Sequence, residues 1–153
     1  MTAAVAVDHG AKKTGLAACD ALRISARALP VARVAGDAAE LVERVAAEVD
    51  ERSAASVVIG LPIRASGEEG ERAPAIRAFA AQVARACPRA TVVLVDEALT
   101  SKAADERMRD ADVPRDERKD WRDSYAALVL LEDWLSDGGV RGERVEPAEP
   151  PRG

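Results

Sequence analysis

The chain reads as an α/β protein: a mixed sheet of five strands flanked by helices. Three observations point there. Continuous apolar runs at Ala3–Val7 (AAVAV), Ser56–Ile59 (SVVI) and Val92–Val95 (VVLV) have the length and pattern of strands buried on both faces. Amphipathic helical stripes separate these runs, so the strands they join run parallel. Two short segments after the first run fit an antiparallel hairpin that makes the sheet mixed.

Each element follows from its residues. After Ala3–Val7, the segments Thr14–Cys19 and Ile24–Leu29 flank Asp20–Arg23 as the two arms of the hairpin. Asp37, with Glu40 three residues on, is an N-cap signal. Ala38, Leu41, Val42, Val45, Ala46 and Val49 then fall on one helical face. Ser56–Ile59 is a central strand closed by Gly60-Leu61-Pro62, because proline lacks the ladder N–H. Pro74 opens a second amphipathic helix carrying Ile76, Phe79, Ala80 and Val83. There follow a strand at Thr91–Val95, a helix from about Ser101 to Arg109, a charged loop near Pro114 and a last helix over Lys119–Ser136. One domain over residues 1–137 is expected. The tail 138–153 is rich in Gly, Pro, Arg and Glu and is expected to be disordered.

At 153 residues the chain can bury a core without disulfides, and 48% hydrophobic against 32% charged residues is ordinary for a globular protein. Aromatics are only 3%, so Ala, Val and Leu must fill that core. Cys19 and Cys87 are far apart and in no metal-ligand spacing, and no apolar segment suits a signal region or a membrane span. These features point to a cytoplasmic protein without membrane association. The net charge of −5 counts against a broadly basic nucleic-acid-binding face. Phosphate contacts would have to come from local cations: Lys12 and Lys13 in the first loop, Arg64 and Arg72 around the second, and Arg115, Arg118, Lys119 and Arg122 before Asp123.

Parallel strands share one C-terminal edge, and open α/β sheets place ligands in the crevice there. Asp8 ends the first run and Glu97 follows the last, while Asp123 lies in the final helix beside the small residues Ala126 and Ala127. Three converging carboxylates suit hard divalent cations. Asp8 with Gly10 and Gly15 also permits a tight turn near a phosphate, although the same spacing serves as a simple lead-in to a hairpin. Asp96 and Thr100 have local alternatives as a turn acid and a helix cap. Asp120 reads as a first-turn or surface acid, and Glu132 as solvent-exposed. His9, the only histidine, should point away from Asp8 and serve packing or hydrogen bonding. Trp121 is the best exposed platform for stacking a base, with Trp134 and Tyr125 assigned to the core.

The element order βββαβαβαα is the ribonuclease H-like arrangement. Four segments carry a closer likeness: Asp8-His9-Gly10-Ala11-Lys12-Lys13-Thr14-Gly15, Gly60-Leu61-Pro62 with Gly67-Glu68-Glu69-Gly70, Asp96-Glu97-Ala98-Leu99-Thr100, and Asp123-Ser124-Tyr125-Ala126-Ala127. In that order and spacing, from about Ala3 to Leu135, they resemble the YqgF/RuvX family of Holliday-junction-resolvase-like nucleases.

The resemblance implies a metal-dependent nuclease that matures the 5′ end of pre-16S ribosomal RNA, and it selects Glu97 over Asp96. Asp8, Glu97 and Asp123 would be the catalytic metal ligands, holding two Mg²⁺ or Mn²⁺ ions about 3.5–4 Å apart with Asp8 as the natural bridge. Gly10, Lys12, Lys13, Arg64 and Arg122 would contact substrate. The expected partner is nucleic acid: RNA within a ribosomal precursor particle, or branched or single-stranded DNA. The acting unit would be a monomer or homodimer. Rival readings are a resolvase of branched DNA and a non-catalytic nucleic-acid-binding module. Lys13 and Ala98 stand where the family usually has Arg, Arg64 where it has Asn, and Ala11 where it has Thr or Ser. A lost guanidinium removes a bidentate phosphate contact that lysine does not reproduce.

Overall fold

The computed structural model describes residues 2–22, 25–97 and 101–149. The expected hairpin residue Ile24, the substitution at Ala98 and the cap at Thr100 lie outside the described residues. Strands β1 (Ala4–Asp8), β2 (Thr14–Cys19), β3 (Ala26–Ala32), β4 (Ser56–Pro62), β5 (Thr91–Glu97) and β6 (Glu143–Arg144) form one sheet in the order β3-β2-β1-β4-β5-β6. β1, β4 and β5 run parallel, and β2, β3 and β6 pair antiparallel to their neighbours. Helices α1 (Ala39–Arg52), α2 (Ala73–Ala86), α3 (Ser101–Asp110) and α4 (Arg118–Ser136) flank it, with a 3₁₀ turn at Arg115–Glu117. No helix among the described residues is long and apolar enough to cross a membrane.

Side-chain alternation divides the core in two. Val5, Val7, Leu16, Val57 and Ile59 face the layer of α1 and α2, where Leu41, Val45, Ile76, Phe79 and Val83 meet them. Ala4, Ala6, Ala17, Cys19, Val58 and Val95 face α4, which supplies Ala127, Leu128, Leu130, Leu131 and Trp134. The α4 side of β1 and β2 is built mostly from alanine, so that helix lies close to the sheet. Both cysteines are buried, and they are not joined in a disulfide.

Several boundaries differ from the expectation. β4 continues through Gly60 and Leu61 to Pro62, because β5 still offers it partners at Val95, Asp96 and Glu97 after β1 has ended. Glu97 consequently lies within β5 rather than beyond it. α1 is capped by Ala38, with no side-chain capping bond, so Asp37 is not the N-cap.

Among the described residues the sheet has six strands, not five, and the sixth lies in the segment expected to be disordered. Residues 138–149 dock on the protein. Glu143 and Arg144 pair with Leu94 and Val93, the Val145 N–H donates to the Val92 carbonyl at 2.9 Å, and Ala148 N–H donates to Ala81 at 2.9 Å. Arg77 of α2 bonds Glu69 and Glu143, both at 2.6 Å. Polar composition hides such order because its source is external: β5 has an open edge whose N–H and C=O groups need partners.

Candidate active site

Asp8 closes β1 opposite Gly15 of β2. Strand alternation turns Asp8, like Ala4 and Ala6, toward α4. At that point α4 comes nearest to the sheet: a side chain on Gly15 would stand 1.8 Å from the Asp123 carbonyl oxygen and 2.6 Å from the Ser124 nitrogen. Glycine is therefore a requirement of the approach. The β2–β3 register shifts between Thr14 and Leu16, and the buried hydroxyl of Ser124 accepts a 3.1 Å hydrogen bond from the Leu16 N–H. This bond ties the first turns of α4 to the strand carrying Gly15 and brings Asp123 beside Asp8.

Glu97 lies two strands from Asp8 on the same face, following Val93 and Val95 in alternation. Gly60 of β4 stands between them. A side chain there would lie 3.8 Å from the Glu97 Cβ and 3.3 Å from Leu130, so the glycine keeps the floor between the two acids open.

Asp8 feels the charges of both other acids. Asp8 is pushed up to about 7, first by burial, then by Asp123 and, more weakly, Glu97, with Arg72 opposing. Glu97 is also raised, by burial and by Asp133, while Arg141 pulls it down. Lys13 Nζ sits 3.4 Å from Asp123 Oδ2.

His9, one residue past Asp8, faces the other side of the sheet as expected. It is buried, with its ring centroid 4.6 Å from that of Phe79. Arg72 donates to Nδ1 at 2.7 Å, which leaves Nε2–H to donate to the Gly36 carbonyl at 2.8 Å. Burial and the Arg72 charge lower its pKa against the opposing Gly36 hydrogen bond, and the ring anchors Arg72 near Asp8. These groups border a cavity of about 290 Å³ with Ala75, Ala78 and Gln82.

The expected substrate contacts are less uniform. Lys12 is exposed in the first loop. Gly10 does not offer a free amide: its N–H donates to Thr14 Oγ1 at 3.2 Å, and a side chain there would strike the Lys13 carbonyl at 2.1 Å. Its role here is to close the loop. Arg64 is exposed, 3.9 Å from Glu71, and Arg122 donates to Asp105 of α3 at 3.2 Å. Asp120 is a surface acid that takes Arg33 at 3.2 Å. Trp121 is half-buried and meets Tyr125 edge to face at 6.5 Å. Glu132 is half-buried and accepts from Arg107 at 2.8 Å.

The donor set fits a hard divalent cation in chemistry: three carboxylates, two with raised affinity for protons, and a buried Glu97 Oε2 with no hydrogen-bond partner. The expected three-carboxylate ligand cage is nevertheless not drawn tight. No group of three or more His, Cys, Asp and Glu side chains among the described residues is close enough to hold one ion. Lys13 engages Asp123 at 3.4 Å, and Glu97 feels the charges of Asp133 and Arg141.

Sequence reading missed Ser124 and the Asp123-facing role of Gly15. Both depend on a contact between residues more than a hundred apart, and their only local signal is the adjacency of Ser124 to Asp123.

Residues 2–137 match the RuvX family model, described as Holliday junction resolvase. A protein of Halalkalibacterium halodurans is 37% identical, over 84% of this chain and 92% of its own length. One from Myxococcus xanthus is 36% identical over 84% of both. A third, from Dictyoglomus thermophilum, is 32% identical over 89% and 96%. All three bear the name "Putative pre-16S rRNA nuclease". The fold is similar to that of Thermus thermophilus RuvC solved in complex with a Holliday junction substrate, with a TM-score of 0.57 and 16% identity over 95% of this chain and 100% of the other.

Proposed function

The chain belongs to the RuvX family, and on that premise we propose that it is a metal-dependent nuclease that hydrolyses phosphodiester bonds in the precursor of 16S ribosomal RNA. The observation that carries the reading is the close approach of α4 to β2 at Gly15, which sets Asp123 beside Asp8 at the C-terminal edge of the parallel strands. A pure binding module gains nothing from burying mutually repelling acids where phosphates must come. Their cost is acceptable where a cation and a reacting phosphate use them.

Asp8, Glu97 and Asp123 would hold Mg²⁺ or Mn²⁺, which when bound supplies polarisation of phosphoryl oxygen and activation of water. The remaining work belongs to the chain's own groups. Lys12, Lys13, Arg64 and Arg122 attract and orient the backbone of the substrate, and Lys13 exchanges Asp123 for a phosphate as it does so. Arg72, held by His9, favours the ionised form of Asp8. Ser124 keeps Asp123 in place while a water oxygen bonds to phosphorus and the bond to the leaving ribose oxygen breaks.

The test is an assay of the purified protein with Mg²⁺ or Mn²⁺ on a pre-16S RNA fragment, single-stranded DNA and a four-way DNA junction. RNA cleavage that stops in EDTA is the expected result. Cleavage of the junction alone would replace this reading by a resolvase, and binding without cleavage of any substrate by a binding module.

A further inference from the structure

Arg141 lies in the strap that follows α4, four residues past the end of the family match. Its backbone position is determined on two sides. The Trp134 indole N–H donates to the Arg141 carbonyl at 3.0 Å, and the next residue, Gly142, is pressed on β5 so closely that a side chain there would stand 3.0 Å from the Leu94 carbonyl and 3.2 Å from Val95. Gly142 also takes a φ of 123°, which glycine adopts freely. Trp134 and Val95 belong to the core facing α4, the side to which Glu97 also turns. The strap therefore delivers Arg141 to the flank of Glu97.

The guanidinium is surrounded by acids. It donates to Asp133 Oδ2 at 3.1 Å, and its Nε lies 3.3 Å from Asp137 Oδ2. That Nε is buried and not in hydrogen-bonding alignment, and Glu97 Oε2 nearby is likewise buried without a partner. Arg141 is thus paired with Asp133 and Asp137, while the partnerless Glu97 oxygen lies outside those ion pairs. The field of Arg141 reaches Glu97 and opposes that of Asp133.

We propose that Arg141 is a resident counter-charge to Glu97, a positioning residue paired with Asp133 and Asp137 whose field opposes the binding of a divalent cation by the Glu97 carboxylate. This rests on the reading of Glu97 as a cation ligand. Before a cation binds, Arg141 offsets part of the repulsion among Glu97, Asp133 and Asp137. The guanidinium keeps its pairs with Asp133 and Asp137 throughout, so its charge stays on the flank of Glu97 against an incoming cation. A segment beyond the family match would thereby set the cation affinity of this chain.

Calorimetric titration of Mn²⁺ into the full-length protein tests this. Arg141→Gln, which keeps most of the stem, and Arg141→Ala should each bind Mn²⁺ roughly three- to tenfold more tightly than the parent, the size of effect one partly screened neighbouring charge supports. Arg141→Lys should bind with near-parental affinity. Arg107→Gln, which removes a positive charge paired with Glu132 elsewhere on α4, should leave the affinity unchanged. Equal or weaker binding by a folded Arg141→Gln protein, judged by circular dichroism, overturns the proposal while leaving the nuclease reading intact. Absence of Mn²⁺ binding by the parent overturns both.

Discussion

Gly15 is the point at which helix α4 rests on the sheet: the space its side chain would fill is occupied by the carbonyl of Asp123, 1.8 Å from where a Cβ would lie. Because Gly15 is also the cross-strand partner of Asp8, one glycine sets the spacing of two acids that are 115 residues apart in sequence.

Gly15→Ala should therefore damage the site without touching a carboxylate. The methyl group would meet backbone rather than a yielding side chain, so α4 must move. A loss of roughly 1–3 kcal/mol is expected, as for overpacking elsewhere. Urea denaturation checks the stability and the RNA assay the cleavage. A variant with parental midpoint and rate would mean that the close approach is not needed.

Asp8→Asn, Glu97→Gln and Asp123→Asn each keep shape while removing charge. Each should lower metal-dependent cleavage by roughly 100-fold or more if these residues hold the ion. The metal-free proteins should be no less stable, since each change relieves like-charge repulsion. Added Mn²⁺ should raise the thermal midpoint of the parent, but not that of the Asp8 variant. Full activity in Asp8→Asn would falsify the proposed mechanism.

The raised pKa of Asp8 gives a signed pH dependence. The folded chain holds a proton up to about pH 7, whereas an unperturbed carboxylate has a pKa of 3.8. The associated stability is present below the lower value and is lost as pH rises through the higher one. At roughly 1.4 kcal/mol per unit, the loss amounts to a few kcal/mol. In EDTA, the midpoint of Asp8→Asn should gain on that of the parent between pH 5 and pH 8. A constant gap across that range would refute the assignment.

The first loop should be visible in the salt dependence of binding. If Lys12 and Lys13 each neutralise one phosphate of single-stranded RNA, the Lys12→Ala, Lys13→Ala double variant should flatten the slope of log K against log salt by about 1.4. An unchanged slope would remove this loop from the contact surface.

The elements and their facing were legible because they depend on local pattern. Continuous runs such as Val92–Val95 mark strands, and the stripe Leu41, Val45, Val49 is the buried face of α1. Period-two alternation also separates Asp8 from His9, placing one toward α4 and the other toward α1 and α2. The motif glycines and acids, in order, were enough to identify the family.

What lay beyond the sequence was every relation that two distant segments make only by packing. Gly15 receiving Asp123, Ser124 bonding Leu16, Trp121 leaning on Tyr125 and Arg122 turning to Asp105 have no local signature. The strap shows the same division most plainly. Its Gly, Pro, Arg and Glu content describes a segment with no reason of its own to order. Order comes from the open edge of β5, the Trp134 indole and the Arg77 guanidinium, which supply the partners it lacks. Local propensity and periodicity are properties of the chain, whereas the satisfaction of a hydrogen bond or a charge belongs to the pair that tertiary structure brings together.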